Sequence, residues 1–123
     1  MQGLTLNLLR DDSVPPDHLD HWQAEAVSNG EGAPFSVPQH WHKKHAERMT
    51  VMEGRVKATL DGVTTVLSAG ESIHIKPYVI HGFEGFAGER AVVGERADPA
   101  GDYKAAYEPS NPTSNPTRFC REC

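Results

Sequence analysis

The chain predicts an all-β fold, a compact antiparallel barrel or jelly roll followed by an irregular C-terminal tail. Three observations carry this expectation. Short β-prone runs recur from Phe35 to about Val93, none of them has a helical repeat, and Asp61-Gly62 between two such runs is a strong hairpin signal. Many short strands with turns at close intervals favour a closed barrel or two-sheet jelly roll over an α/β fold. At 123 residues the chain can build one real hydrophobic core but not two.

The opening residues 1–33 read as an N-terminal strand or loop extension. Pro15-Pro16 interrupts it, His18 to Val27 fits a short helix or a strand, and Asn29-Gly30-Glu31-Gly32 is a turn. The barrel core is expected over residues 34–97. Met49-Thr50-Val51-Met52 is β-prone and stops at Glu53-Gly54. Val56, Ala58 and Leu60 alternate with Lys57 and Thr59, the pattern of a half-buried strand. Val63 to Leu67 returns from the hairpin and ends at Ser68-Ala69-Gly70. Ser72 to Ile75 precedes Lys76-Pro77, where proline limits ladder bonding and favours an edge or a turn. Ala91-Val92-Val93 belongs to a further strand. Residues 98–108 read as a short helical or irregular segment. Residues 109–123, rich in proline, serine, threonine and asparagine, lack a core-forming pattern and read as a disordered tail.

Composition excludes several function classes. The chain is 37% hydrophobic and 24% charged, with a formal net charge of −5. Nucleic acid calls for a concentrated Lys/Arg surface, and Lys43-Lys44 is the longest basic run, so no nucleic-acid partner is expected. The apolar patch near Met1 is too short to span a bilayer and no basic region precedes it, so neither signal peptide nor membrane anchor is read there. Asn111 and Asn115 are each followed by proline, which removes them as glycosylation acceptors. The expected setting is cytoplasmic. Cys120 and Cys123 form a C-x-x-C pair near the end, read as two reducible thiols ahead of half a zinc site or a redox pair, so the fold is not expected to depend on a disulfide.

The densest chemistry lies in His40-Trp41-His42-Lys43-Lys44-His45-Ala46-Glu47, with another histidine at His81. On a strand, His40 and His42 point to one side because side chains alternate. Glu47 is an odd number of residues from His42, so it joins them only through a bend or bulge, which Lys43, Lys44 and His45 can form. Three imidazoles and a carboxylate then surround one divalent transition metal ion, with iron, manganese, zinc and nickel all compatible. An apo cluster of hydrogen-bonded histidines is the plainer alternative, since a buried carboxylate needs a partner either way.

These two stretches resemble the motifs of the cupins. The first motif, His-x-His, four residues, Glu, six residues, Gly, is matched by His40, His42, Glu47 and Gly54. In the second, a glycine is followed eleven positions later by a histidine, matched by Gly70 and His81. The interval between motifs, residues 55–69, is as short as in compact members, and the resemblance covers roughly residues 34–95. It implies a small antiparallel barrel holding a metal at His40, His42, Glu47 and His81. Three positions depart from the fullest pattern: Pro34 replaces a glycine ahead of the first histidine, Tyr78 a glycine before the last, and Gly85 an asparagine after it.

Other residues acquire roles from this frame. Met49, Val51, Phe83 and Phe86 are candidate walls of an apolar cavity, or ordinary core. Trp41 is expected to face outward or toward a partner subunit. The first eight residues form an apolar strip that, with Trp41, suits a homodimer. His45 is a candidate proton relay at the cavity mouth, or simply exposed. Tyr78 can offer a phenolic proton near His81, or pack a turn. His18, His21 and His74 read as surface or boundary residues.

The core supplies no nucleophilic cysteine and no phosphate-binding glycine loop, so the metal carries the central chemistry. Cupin resemblance leaves decarboxylation, dehydration, isomerisation and dioxygenation open. Small members that look like this chain include enzymes tailoring aromatic or polyketide-like metabolites. The expectation is therefore a metal-dependent lyase or isomerase acting on a small oxygenated organic substrate. A dioxygenase and a non-catalytic metal- or ligand-binding barrel are the alternatives.

Overall fold

The structure is a computed structural model that describes residues 4–99. The expected tail at 109–123, with Cys120 and Cys123, and the segment 100–108 lie outside the described residues. Asp98, expected to open that segment, instead ends the last strand.

Nine strands follow in chain order: β1 Leu4–Arg10, β2 Trp22–Ser28, β3 Ser36–His40, β4 Ala46–Glu53, β5 Arg55–Leu60, β6 Val63–Ser68, β7 Ser72–Ile75, β8 His81–Glu84 and β9 Ala91–Asp98. They form a five-stranded sheet in the order β1-β2-β9-β4-β7 and a four-stranded sheet in the order β3-β8-β5-β6. Every paired strand is antiparallel. No helix among the described residues is long and apolar enough to cross a membrane.

Alternation explains how the sheets face each other. On β4, Glu47, Met49 and Val51 are buried while Arg48 and Met52 are exposed. Val56 and Ala58 on β5 and Phe83 on β8 meet them from the second sheet, with Ile75, Ala91, Val93, Leu67 and Phe35 completing the core. The β5–β6 hairpin closes at Asp61-Gly62, with Leu60 opposite Val63 and positive φ at both turn residues, 46° and 82°. That is the backbone a two-residue type I′ loop requires. Pro77 follows β7, which lies at the edge of its sheet as proline demands.

The N-terminal region proves to be part of the larger sheet. β1 pairs with β2 from Leu4–Ser28 to Arg10–Trp22, and β2 pairs with β9. The segment from His18 to Val27 is strand from Trp22 onward, and its helical alternative falls away. His21 is also a correction: it is buried, and its Nδ1 lies 2.9 Å from the Val14 carbonyl oxygen. A satisfied imidazole next to Trp22 ties down the loop before β2 and carries structure rather than chemistry.

Candidate metal centre

Both sheets and one connecting loop deliver the site. His40 ends β3 and His81 begins β8; the two are paired across the ladder, and their rings are 4.4 Å apart. His81 is also opposite Leu60 on β5, which places it in the interior of the smaller sheet. Glu47 comes from β4 of the larger sheet, as the inward-facing residue before Met49 and Val51. Chain residues 41–45 cross from one sheet to the other, bend at Lys43-Lys44, and bring His42 and His45 to the same place. The bend that Glu47 needs to join the histidines is therefore present, and the two lysines at its tip are exposed.

All five side chains are buried: His81 is fully inaccessible, and His40, His42, His45 and Glu47 are no more than 9% exposed. Glu47 is the hub. Its Oε1 lies 3.0 Å from His42 Nε2 and 3.7 Å from His45 Nε2, and its Oε2 lies 3.4 Å from His81 Nε2. One donor atom each from His40, His42 and His81 falls within a 4.8 Å span, as does one each from His42, His45 and Glu47. His42 belongs to both groups.

Hydrogen bonds to the backbone orient two of the rings. His40 Nδ1 lies 2.8 Å from the Pro38 carbonyl oxygen, and His81 Nδ1 lies 2.8 Å from that of Val79. A neutral ring donating through Nδ1 keeps its lone pair at Nε2, the tautomer that suits a metal ligand. The buried His42 Nδ1 and His45 Nδ1 have no hydrogen-bond partner, while His42 Nε2 and His81 Nε2 face the Glu47 carboxylate. Unpaired buried polar atoms are costly. Three imidazoles turned on one carboxylate, with further ring nitrogens left unpartnered, fit a bound cation better than an apo hydrogen-bonded cluster.

The electrostatics point the same way. Burial pushes the His40 pKa down to about 4, against the Pro38 carbonyl that favours its charged form. Burial alone would raise the Glu47 carboxyl, but the imidazoles of His42, His45 and His81 hold it well below the ordinary range, so it is ionised. Burial also works against charge on His81, yet Glu47 and the Val79 carbonyl outweigh it and its pKa is raised. An anionic centre ringed by imidazoles is a donor set for borderline transition-metal ions. The residues present fit such an ion.

The surrounding residues divide. Met49 and Val51 are buried in the hydrophobic core, and Phe83 is buried with its ring 5.9 Å from that of His81. Phe86 does not join them: Arg55 and Lys57, on the outward positions of β5, lie 3.8 Å and 4.9 Å from its ring centre. Trp41 is half-buried, and Tyr78, 62% exposed, stacks on it at 5.6 Å and 29°. His45, read above as a mouth residue or an exposed one, is buried inside the cluster. His74 and His18 are exposed, in keeping with their surface reading. Sequence reasoning missed Gly82: a Cβ there would stand 2.8 Å from the Val37 carbonyl oxygen, beside the register shift of β3 between Val37 and His40. Its only signal in the sequence is a glycine directly after His81.

Comparison with known proteins agrees with this fold. KdgF from Halomonas sp. superposes with a TM-score of 0.63 at 17% identity, covering 80% of this chain and 81% of that one. The polyketide cyclase RemF from Streptomyces resistomycificus gives a TM-score of 0.61 at 26% identity, over 80% of this chain and 66% of that one. A recombinant oxalate oxidase in complex with glycolate gives 0.61 at 18% identity, over 80% and 52%. For KdgF and the oxidase the likeness is one of fold alone. No curated protein matches the chain. A family model described as Cupin domain matches residues 29–93, more than half of the sequence, and this chain belongs to the cupin family.

Proposed function

We propose that this chain is a metal-dependent enzyme of lyase or isomerase type, acting on a small oxygenated organic metabolite by decarboxylation, dehydration or tautomerisation. The observation that carries the reading is the buried ring of imidazoles about an ionised Glu47, with His42 Nδ1 and His45 Nδ1 left without partners. His40, His42, Glu47 and His81 would hold the ion. When bound, a divalent transition metal supplies a Lewis acid that polarises a substrate carbonyl or carboxylate.

The chain's own residues do the rest. His40 and His81 are held by carbonyl oxygens of Pro38 and Val79, so their rings are fixed before any ligand arrives. Glu47 Oε1 sits within 3.7 Å of His45 Nε2, which gives His45 a carboxylate to stabilise it when it takes up a proton. His45 is thus the proton carrier in this reading. Tyr78 is less suited to that work, because its ring is exposed and engaged by Trp41. Phe83, buried with its ring 5.9 Å from that of His81, covers the inner side with an apolar surface. The likeness to a polyketide cyclase favours non-redox chemistry on an oxygenated substrate.

The test is anaerobic purification with elemental analysis, followed by metabolite screening with and without oxygen. The expected result is bound divalent transition metal and turnover that needs no oxygen. Turnover only in oxygen would replace this reading with a dioxygenase, and tight binding without product would replace it with a binding protein. The His45→Gln variant should keep its metal and lose roughly ten- to ten-thousand-fold in activity. Full activity in that variant removes His45 from the mechanism, and full turnover by metal-free protein removes the mechanism itself.

A further inference from the structure

Tyr78 has a backbone that does not suit it. Its φ is 69°, in the left-handed region where a bulky residue other than glycine is an outlier. Such strain persists only where surrounding structure fixes it, and it clusters at functional sites. Turn packing gives a poor account here, since the ring is 62% exposed and buries little apolar surface. Two contacts account for it better. The Tyr78 backbone N–H donates to the His42 carbonyl oxygen at 2.8 Å, and the ring stacks on Trp41 at 5.6 Å.

Both contacts join the two segments that carry the metal set. Trp41 stands between His40 and His42, so it cannot shift without moving them. Tyr78 directly precedes Val79, whose carbonyl oxygen fixes His81 through Nδ1. We propose that the Trp41–Tyr78 stack is a latch that sets the segment carrying His40 and His42 against the turn that orients His81. Both aromatic residues are positioning residues for the ion, and this inference rests on the metal reading above. Groups that orient metal ligands from behind typically change affinity by about ten- to a hundred-fold when removed.

The experiment titrates cobalt(II) into chelator-treated protein and follows its visible absorption. The proteins compared are wild type, Tyr78→Phe, Tyr78→Asn, Trp41→Leu and the Trp41→Leu/Tyr78→Asn double variant. Asparagine tolerates the left-handed backbone without supplying a ring. Tyr78→Phe should bind cobalt as wild type does, with the same spectrum. Tyr78→Asn and Trp41→Leu should each weaken binding about ten- to a hundred-fold and alter the spectrum, and the double variant should be no weaker than the worse single one. The metal-free melting temperature of Tyr78→Asn should not fall below that of wild type, which separates a latch from a fold-stabilising contact. The latch is overturned if Tyr78→Asn binds as tightly as wild type, if Tyr78→Phe loses as much as Tyr78→Asn, or if the two single losses multiply in the double variant. A wild type that binds no cobalt overturns the metal reading instead, and the latch with it.

Discussion

Glu47 sets the charge of the whole cluster, so its neutral isostere is the most informative single change. Glu47→Gln keeps the shape and removes the negative charge beside three imidazoles. Metal affinity and the thermal stability of the metal-loaded protein should fall together, since a ligand stabilises only what it binds in the folded state. The same variant tests the origin of the raised His81 pKa. With the carboxylate gone, burial is the largest remaining influence, and the His81 titration followed by NMR in metal-free protein should move below its ordinary value. A His81 titration that stays raised would show that Glu47 is not its cause. The pH dependence of the metal-free fold follows from the same groups. His40, held down to about 4, contributes stability present above its unfolded value of 6.5 and lost as pH falls toward 4. Glu47, also lowered, contributes stability present above 4.5 and lost as pH falls through its folded value. His81, raised, contributes stability present below 6.5 and lost as pH rises through its folded value. Thermal melts of chelated protein should therefore peak near neutrality and decline on both sides, with the steeper loss in acid, where two groups act. A melting temperature that climbs steadily into acid would contradict the His40 and Glu47 assignments, and one that climbs steadily into alkali would contradict that of His81.

At the scale of elements, the site depends on how closely β3 approaches β8. Gly82 permits that approach: a Cβ would meet the Val37 carbonyl oxygen at 2.8 Å and the Gln39 nitrogen at 3.2 Å, both backbone atoms that cannot swing away. Gly82→Ala should push β3 outward where it carries His40, costing about 1–3 kcal/mol in denaturant melts and weakening metal binding at the same time. Loss of stability with unchanged metal affinity would show that His40 is placed by the loop instead. The elements that could be read from sequence were those with strong local physics. Asp61-Gly62 needed only its own backbone preference, and Val56 to Leu60 only its alternation. Glu47 was legible because a known parity, odd from His42, required a bend. β2 was not, because its residues from Gln23 to Val27 are all half-buried and leave no alternating pattern. His45 was misjudged for a different reason. A residue in a bend has no periodicity to assign its side, and its inward turn comes from a loop that must cross between two sheets. Phe86 followed the outward face of β5 through its cationic neighbours, a long-range contact that no local pattern encodes.

For the whole molecule, the open question is what meets β1. It forms one edge of the five-stranded sheet, with Leu6 and Leu9 at 38% and 44% exposure. An unprotected edge strand is a template for pairing with another chain, and native proteins usually blunt or cover it. Asn7 and Arg10 interrupt this edge with polar groups, yet the apolar positions remain. A second copy of the chain is the partner whose edge carries the same alternation of apolar and polar residues, and strand addition would give main-chain hydrogen bonds along with apolar burial. Trp41, also expected at such an interface, is half-buried and stacked on the exposed Tyr78, so β1 offers the more open of the two contacts. We therefore predict a homodimer joined through β1. Light scattering at several micromolar should return twice the chain mass of 13.5 kDa. Leu6→Lys should shift the mass to the monomer while the circular dichroism of the barrel is retained, because the charge sits on an exposed edge and outside the core. A wild-type monomer with a stable fold would rule out this interface. A Leu6→Lys dimer would place the contact elsewhere, with the exposed Val63 and Val66 of β6, at the edge of the other sheet, as the next surface to examine.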